Sequence, residues 1–247
     1  MKKLYTKKYS ASNTLLNYID AYWIIQNQSD ITIDIPIVPD GCMDIIYQND
    51  ELILVGAMDE GIVVSAKPND YSFGIRFKPA VFAYLIDKKC SSFTNRILPL
   101  KDVSQELFDL LNFNEKDENT KVESLNRLFE TLFKDIKLNE NISHVISQII
   151  KNKGDIQIND MLKSIKISQR QLERLFLNYV GYSPKKFSNI IRFFYTYKDL
   201  LKSGTDNLIE KAYDYGYCDQ AHFNKEFKKF SNFSPTDEIM SIFYNTK

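Results

Sequence analysis

Residues 167–192 read ISQRQLERLFLNYVGYSPKKFSNIIR. Ser168 is a good helix N-cap, and Leu172, Leu175, Phe176 and Tyr179 recur at three- and four-residue spacing, which predicts one buried helix face. Gly181 stands where a helix needs a left-handed terminator, and Ser183-Pro184 opens the next helix with proline at its first position. The opposite face of the first helix offers Gln169, Arg170, Glu173 and Arg174, side chains suited to a DNA groove. A looser copy of the pattern runs from Gly216 to Pro235.

Around this stretch the chain is long enough, at 247 residues, for one large or two ordinary domains with a sizeable core. With 8 glycines and 7 prolines it is expected to fold almost throughout. The net charge is zero, but it divides unevenly. Residues 1–141 hold 16 basic and 21 acidic residues, a net of −5, whereas residues 142–247 hold 16 and 11, a net of +5. Such a split fits a carboxy-terminal part that meets a polyanion, although segregation of solvated charge would look the same. The three cysteines, Cys42, Cys90 and Cys218, are far apart and form no C-x-x-C, which excludes a disulfide framework or zinc site and fits a reducing cytoplasm. The basic start, Met1 to Lys8, has no apolar stretch behind it and does not read as a signal peptide. No run approaches the ~20 apolar residues of a membrane helix, so no membrane partner is expected.

From Tyr22 to Phe77 short β-rich runs alternate with turn residues. Strands are predicted at 23–25, 31–35, 44–47, 52–55, 62–64 and 71–77, separated by Gln28-Ser29-Asp30, Pro39-Asp40-Gly41, Gln48-Asn49-Asp50, Met58 to Gly61 and Pro68-Asn69-Asp70. This spacing argues for an antiparallel sandwich or small barrel. After Pro79 the period changes. Val81, Phe82, Leu85 and Ile86 suggest a short helix, Val103–Leu111 another, and residues 121–137 carry the broad stripe Val122, Leu125, Leu128, Phe129, Leu132, Phe133 and Ile136. That stripe can pack on the β domain or pair with its counterpart in a homodimer. Residues 137–141 read as a short linker, dividing the chain into 1–138 and 142–247, an α+β chain overall.

Both histidines, His144 and His222, lie outside the β-rich part, so no histidine-built metal site is expected there, and no G-x-S-x-G, H-E-x-x-H or P-loop occurs. No enzymatic activity and no cofactor are expected. For a ligand site, Trp23, Tyr47 and Phe73 could line an apolar pocket. Arg76, between Ile75 and Phe77, would seek a carboxylate, either Asp40 or Asp44 or one on a ligand.

In the carboxy-terminal part, Ile142–Ile150 has helical spacing, Gly154 ends that helix, and Ile158–Ile165 forms the next, leading into the Ser168 helix. Helix, short turn, helix with a polar outer face is the helix-turn-helix plan. Pro184–Ser203 makes a long helix stopped by Gly204. Leu208–Tyr217 and an Asp219-capped helix, Gln220–Phe230, then form a second unit, with Phe223, Phe227 and Phe230 inward and Gln220, Ala221, Asn224, Lys225 and Lys228 outward. A joining helix of ~18 residues is ~27 Å long. Successive major-groove turns on one DNA face are ~34 Å apart. Two reading helices on a spacer of nearly that length are a far more specific signal than one.

The stretches ISQRQLERLFLNYVGYSPKKF and AYDYGYCDQAHFNKEFKKFSNFSP, within residues 144–236, resemble the DNA-binding domain of the AraC/XylS family of bacterial transcription regulators. The resemblance implies two helix-turn-helix units on a linker helix, DNA as partner, and activation in contact with RNA polymerase. Carried over, the reading positions are Gln169, Arg170, Glu173 and Arg174, then Gln220, Ala221, Asn224 and Lys225. Arg170 and Arg174 suit guanine edges and Gln220 and Asn224 adenine. Lys185, Lys186, Lys228 and Lys229 suit phosphates. Asn232 replaces the family's usual glycine and tolerates the same left-handed backbone. Thr236-Asp237-Glu238-Ile239 lacks the usual aromatic-then-arginine ending. The stretch VPDGCMDIIY with the later GIRFKP also resembles a sensor-type domain found ahead of such DNA-binding domains, for which a cupin-like barrel and a small-molecule effector are the expectation. Three alternatives stay open: a ligand-free regulator, a redox-responsive one acting through Cys42, and a DNA-repair protein using the same module.

Overall fold

The alternation between residues 22 and 77 builds two antiparallel sheets in the computed structural model, which describes residues 4–235 apart from 112, 114, 116, 164 and 204–207. The strands are β1 (Leu4–Tyr9), β2 (Ile19–Asn27), β3 (Ile33–Ile37), β4 (Met43–Gln48), β5 (Glu51–Val55), β6 (Ile62–Ala66), β7 (Tyr71–Phe77) and β8 (Ile97–Pro99). Six of them form one sheet in the order β1-β2-β7-β4-β5-β8, and β3 pairs with β6 in the other. The six predicted strands are present with small shifts at their ends. β1 and β8, both edge strands, were not expected. β1 belongs to the basic start, where Lys7 and Lys8 break the apolar signal, and β8 is three residues long.

Helices follow: α1 (Leu100–Val103), α2 (Gln105–Leu110), α3 (Glu118–Phe133), α4 (Glu140–Lys151), α5 (Ile158–Leu162), α6 (Gln169–Tyr179), α7 (Pro184–Ser203), α8 (Leu208–Asp214) and α9 (Gln220–Ser231). The helix expected near Val81 is a single 3-10 turn, Phe82–Tyr84. The stop at Gly204 and the 236–239 ending lie outside the described residues.

Strand parity decides which face each residue takes. Tyr22 and Ile24, Ile45, Leu52 and Leu54, and Phe73, Ile75 and Phe77 turn to one side of the large sheet and are buried. There α3 closes over them. Phe129 meets Phe77 edge-on at 5.4 Å, and Phe133 stacks on Tyr18 at 4.4 Å. Val122, Leu125, Phe129 and Phe133 are each under 8% exposed. The apolar stripe of residues 121–137 is therefore consumed by its own β domain and is not a free homodimer face.

Two expected pocket residues belong to this helix side. Tyr47 stacks on Phe113 at 5.0 Å, and Phe73 is fully buried 5.6 Å from Phe113. With Tyr71 they surround the buried Lys121, whose ammonium lies 5.2 Å from the Phe73 ring and 5.8 Å from that of Tyr47. Burial pulls the Lys121 amine below the ordinary lysine range. Tyr47 and Phe73 are three residues from Asp44 and Arg76 on the same strands, and an odd separation on a regular strand puts side chains on opposite faces.

The hydrophobic core continues without a break into the carboxy-terminal helices. Leu172 and Phe176 of α6 and Phe187, Ile190, Ile191 and Phe193 of α7 are buried, as are Phe223, Phe227 and Phe230 of α9.

Candidate DNA-reading face and sensor cavity

Ser168 caps α6 through a capping box: its hydroxyl accepts from the Gln171 amide at 3.3 Å, and the Gln171 side chain accepts from the Ser168 amide at 2.9 Å. The helix ends at Gly181, whose φ of +106° favours glycine. With Leu172 and Phe176 fixed inward, Gln169, Arg170, Glu173 and Arg174 fall on the exposed side. Gln169 donates to Glu173 at 3.2 Å along that face. A hollow beside it is lined by Arg170, Glu173 and Arg174 on one side and Lys89 and Ser91 of the amino-terminal part on the other.

α7 has 20 residues, ~30 Å at the helical rise, which is closer to the groove repeat than the sequence estimate. It carries α9 through apolar and ionic contacts. Phe193 lies 5.4 Å from Phe227 and 5.2 Å from Phe230. Arg192 pairs with Glu226 at 2.7 Å while its guanidinium lies 4.5 Å from the Tyr217 ring. Asp219 caps α9 by accepting from the His222 amide at 2.7 Å, and Asn232 ends it at φ +65°, as the sequence anticipates for an asparagine in a glycine position. Gln220, Ala221, Asn224, Lys225, Lys228 and Lys229 are all exposed. So is Lys185. Lys186 is not free: its ammonium is paired with Asp59 of the amino-terminal part.

The second site lies on the other face of the large sheet. The small sheet β3-β6 stands off it, leaving a cavity of about 1010 Å³. Its floor is set by register. Asp44 is paired across the sheet with Arg76 and with Val55, and Trp23 with Gly74. A Cβ at residue 74 would come within 1.9 Å of the indole, so only glycine leaves room for Trp23 to lie across the strand. Arg76 donates to Asp40 at 2.7 Å and to Asp44 at 3.1 Å, and the Trp23 indole N–H donates to Asp44 at 2.8 Å. Burial raises the Asp44 carboxyl above the ordinary range even against Arg76. Burial also acts to lower Arg76, but Asp44 and Asp40 hold it well above its usual value. Ile25, Ile46, Ile53 and Val55 complete the floor, and Ile35, Ile37, Ile62 and Val64 form the facing wall.

Of the six expected pocket residues, Trp23, Asp40, Asp44 and Arg76 are thus brought together, and Tyr47 and Phe73 face away. Cys42 lines the same cavity, and its thiol is pushed well up, by burial first and by Asp40 second. The β3-β6 wall was not expected, because a two-stranded sheet leaves no signal that says what it faces. Among the described residues no three His, Cys, Asp or Glu side chains are grouped to hold a metal ion, and no helix is long and apolar enough to cross a membrane.

Comparison with known proteins gives matches in two separate stretches of the chain. Residues 7–99 match a domain of unknown function (DUF6597), and residues 161–238 match a helix-turn-helix domain family. The chain is 35% identical over 95 residues to the HTH-type transcriptional regulator MtrA of Neisseria gonorrhoeae, covering 38% of this chain and 31% of that protein. It is 30% identical over 111 residues to the lactose operon transcription activator of Staphylococcus xylosus, covering 44% of this chain and 39% of that one. These alignments span between a quarter and two fifths of either relative's own length. Among solved structures, ToxT from Vibrio cholerae O395 aligns over 100% of this chain and 98% of its own, at 15% identity and a TM-score of 0.44. The chain carries an AraC-type helix-turn-helix domain at its carboxy terminus, behind an amino-terminal domain of the DUF6597 family.

Proposed function

We propose that this protein is a sequence-specific transcription regulator, an activator, in which a small molecule held between the two sheets controls how residues 142–247 meet double-stranded DNA. The observation that carries this reading is the pair of exposed, capped helices α6 and α9 on a spacer of groove-repeat length, within the segment matched to helix-turn-helix regulators. Residues 1–138 serve as the sensor and 142–247 as the reader. Arg170 and Arg174 address guanines, Gln220 and Asn224 adenines, and Lys185, Lys228 and Lys229 phosphates. RNA polymerase is the partner an activator requires. A second copy, if the protein pairs, uses a face other than the stripe on α3. The redox alternative loses ground because the half-buried Cys42 has its thiol pushed well up by burial and by Asp40, which makes it a poor nucleophile. The DNA-repair alternative lacks a clustered cysteine site, since the three thiols are unpaired and separate.

The test is selection of bound sequences from random duplex DNA, followed by gel-shift titration. A specific site read over two successive groove turns is expected. Binding that depends on salt but not on sequence would leave the helices as a generic polyanion surface and sink the regulator reading.

A further inference from the structure

The floor of the cavity does not balance its charge. Asp40 and Asp44 both bind the one guanidinium of Arg76, so this inner cluster carries a net of −1. Their side chains are 13% and 9% exposed, and little solvent is available to screen the surplus. The raised Asp44 carboxyl reports the same imbalance: burial outweighs its share of Arg76, and Asp40 adds to it. Beside Asp44 lies the Trp23 indole, an aromatic ring that favours a cation over its face. The rest of the floor and the facing wall are isoleucine and valine. Three lysines also line the cavity, all with exposed side chains at its rim: Lys7 is paired with Glu118, Lys8 with Asp20, and Lys67 shares a turn with the lining Asp70, whose carboxylate accepts from its amide.

A further polar group lies within electrostatic reach of this end of the cavity without lining it. The Tyr182 hydroxyl, in the turn between α6 and α7, is buried without a hydrogen-bond partner, and the charges that act on it are those of Asp40 and Cys42. The β3–β4 loop that carries Asp40 touches α7, because a Cβ at Gly41 would lie 2.5 Å from the Phe187 ring. A ligand that draws on Asp40 therefore acts one residue away from the reading domain.

We infer that the effector is an organic cation with an apolar body, an amine or quaternary ammonium whose head is bound by Asp40, Asp44 and Trp23 and whose chain lies between the sheets. This rests on the reading of the cavity as the effector site. A bound ammonium brings the cluster to neutrality, whereas a bound carboxylate would bring it to −2. Apolar surface at the Ile and Val walls supplies the attraction, and the carboxylates supply the selectivity.

Trp23 is the only tryptophan and sits in the site, so its fluorescence reports occupancy directly. The full chain would be titrated, without DNA and below micelle-forming concentrations, with decyltrimethylammonium, decanol and decanoate. The expected result is a saturable Trp23 signal and a raised Tm with decyltrimethylammonium. Its affinity should exceed that for decanoate by at least tenfold and fall severalfold in Asp44→Asn and in Asp40→Asn. The second variant guards against a folding defect in the first. Equal or tighter binding of decanoate, or unchanged ammonium binding in both variants, would overturn the cationic preference while leaving the cavity a ligand site. Failure of all three probes would overturn both.

Discussion

Arg174 stands on the exposed face of α6, and Leu172 and Phe176 on the same helix hold that face in place from below. Truncating it removes the proposed base contact without disturbing the core. Arg174→Ala is expected to weaken specific binding by ~1–3 kcal/mol and to relax selectivity at one base pair. A variant that binds the selected site like the parent would mean that α6 does not read bases. The cysteines offer a second residue-level check. Cys218 is exposed, Cys90 is buried with its thiol pushed up to about 12, and Cys42 is held well up by burial and Asp40. One fast-reacting thiol, Cys218, is expected when the folded protein meets a thiol reagent at neutral pH, with the other two slow. Fast modification of Cys42 would revive the redox alternative. At this scale the sequence was legible wherever chemistry restricts a residue to one role. Arg76 needed a carboxylate and found both of the candidates named for it. Tyr47 and Phe73 were misplaced because aromatic side chains suit either face of a sheet, and only their odd spacing from Asp44 and Arg76 excludes them from the cavity.

Among the elements, α3 is the one whose role the sequence left open between two partners. Its stripe meets the large sheet through Phe129 against Phe77, and the turn before β2 through Phe133 against Tyr18. Because Phe129 is 0% exposed, Phe129→Ala is expected to destabilise folding by ~3–5 kcal/mol, measured by urea unfolding. The midpoint should not depend on protein concentration, whereas a concentration-dependent midpoint would return the stripe to a subunit interface. Elements with strong local signals were read correctly. α6 has a cap, a stripe and a terminating glycine, and α7 has proline at its first turn. The central strands have turn residues on both sides. Elements whose order comes from neighbours were not visible. β1 is a lysine-rich edge that β2 recruits over six paired residues, β8 is too short to carry a period, and the first helix expected after Pro79 shrinks to one turn.

Across the whole molecule, the β5–β6 loop joins the amino-terminal β-rich part to the carboxy-terminal helices at two points. Asp59 holds Lys186 at the start of α7, and the Gly61 carbonyl accepts from Asn232 at the end of α9. Asp59 is itself fixed: its amide donates to Asn95 at 2.8 Å, and its carboxylate accepts from the Asn95 side chain. Burial, and after it the nearby charge of Lys229, pull the Lys186 amine below its ordinary range, so a lysine of α9 lies close to the Lys186–Asp59 pair. A DNA phosphate offers Lys186 the same charge. The loop continues directly into β6, whose Ile62 and Val64 line the cavity, so occupancy there can bias the competition between Asp59 and phosphate. Asp59→Asn keeps the Asn95 contact and removes the charge. It is expected to tighten binding to the selected site severalfold at low salt. It should also steepen the slope of log K against log salt by about 0.9, the increment for one more phosphate contact. An unchanged affinity and slope would show that Lys186 is not held back by the sensor. A higher affinity with an unchanged slope would mean that the loop restrains the position of α7 and not its charge.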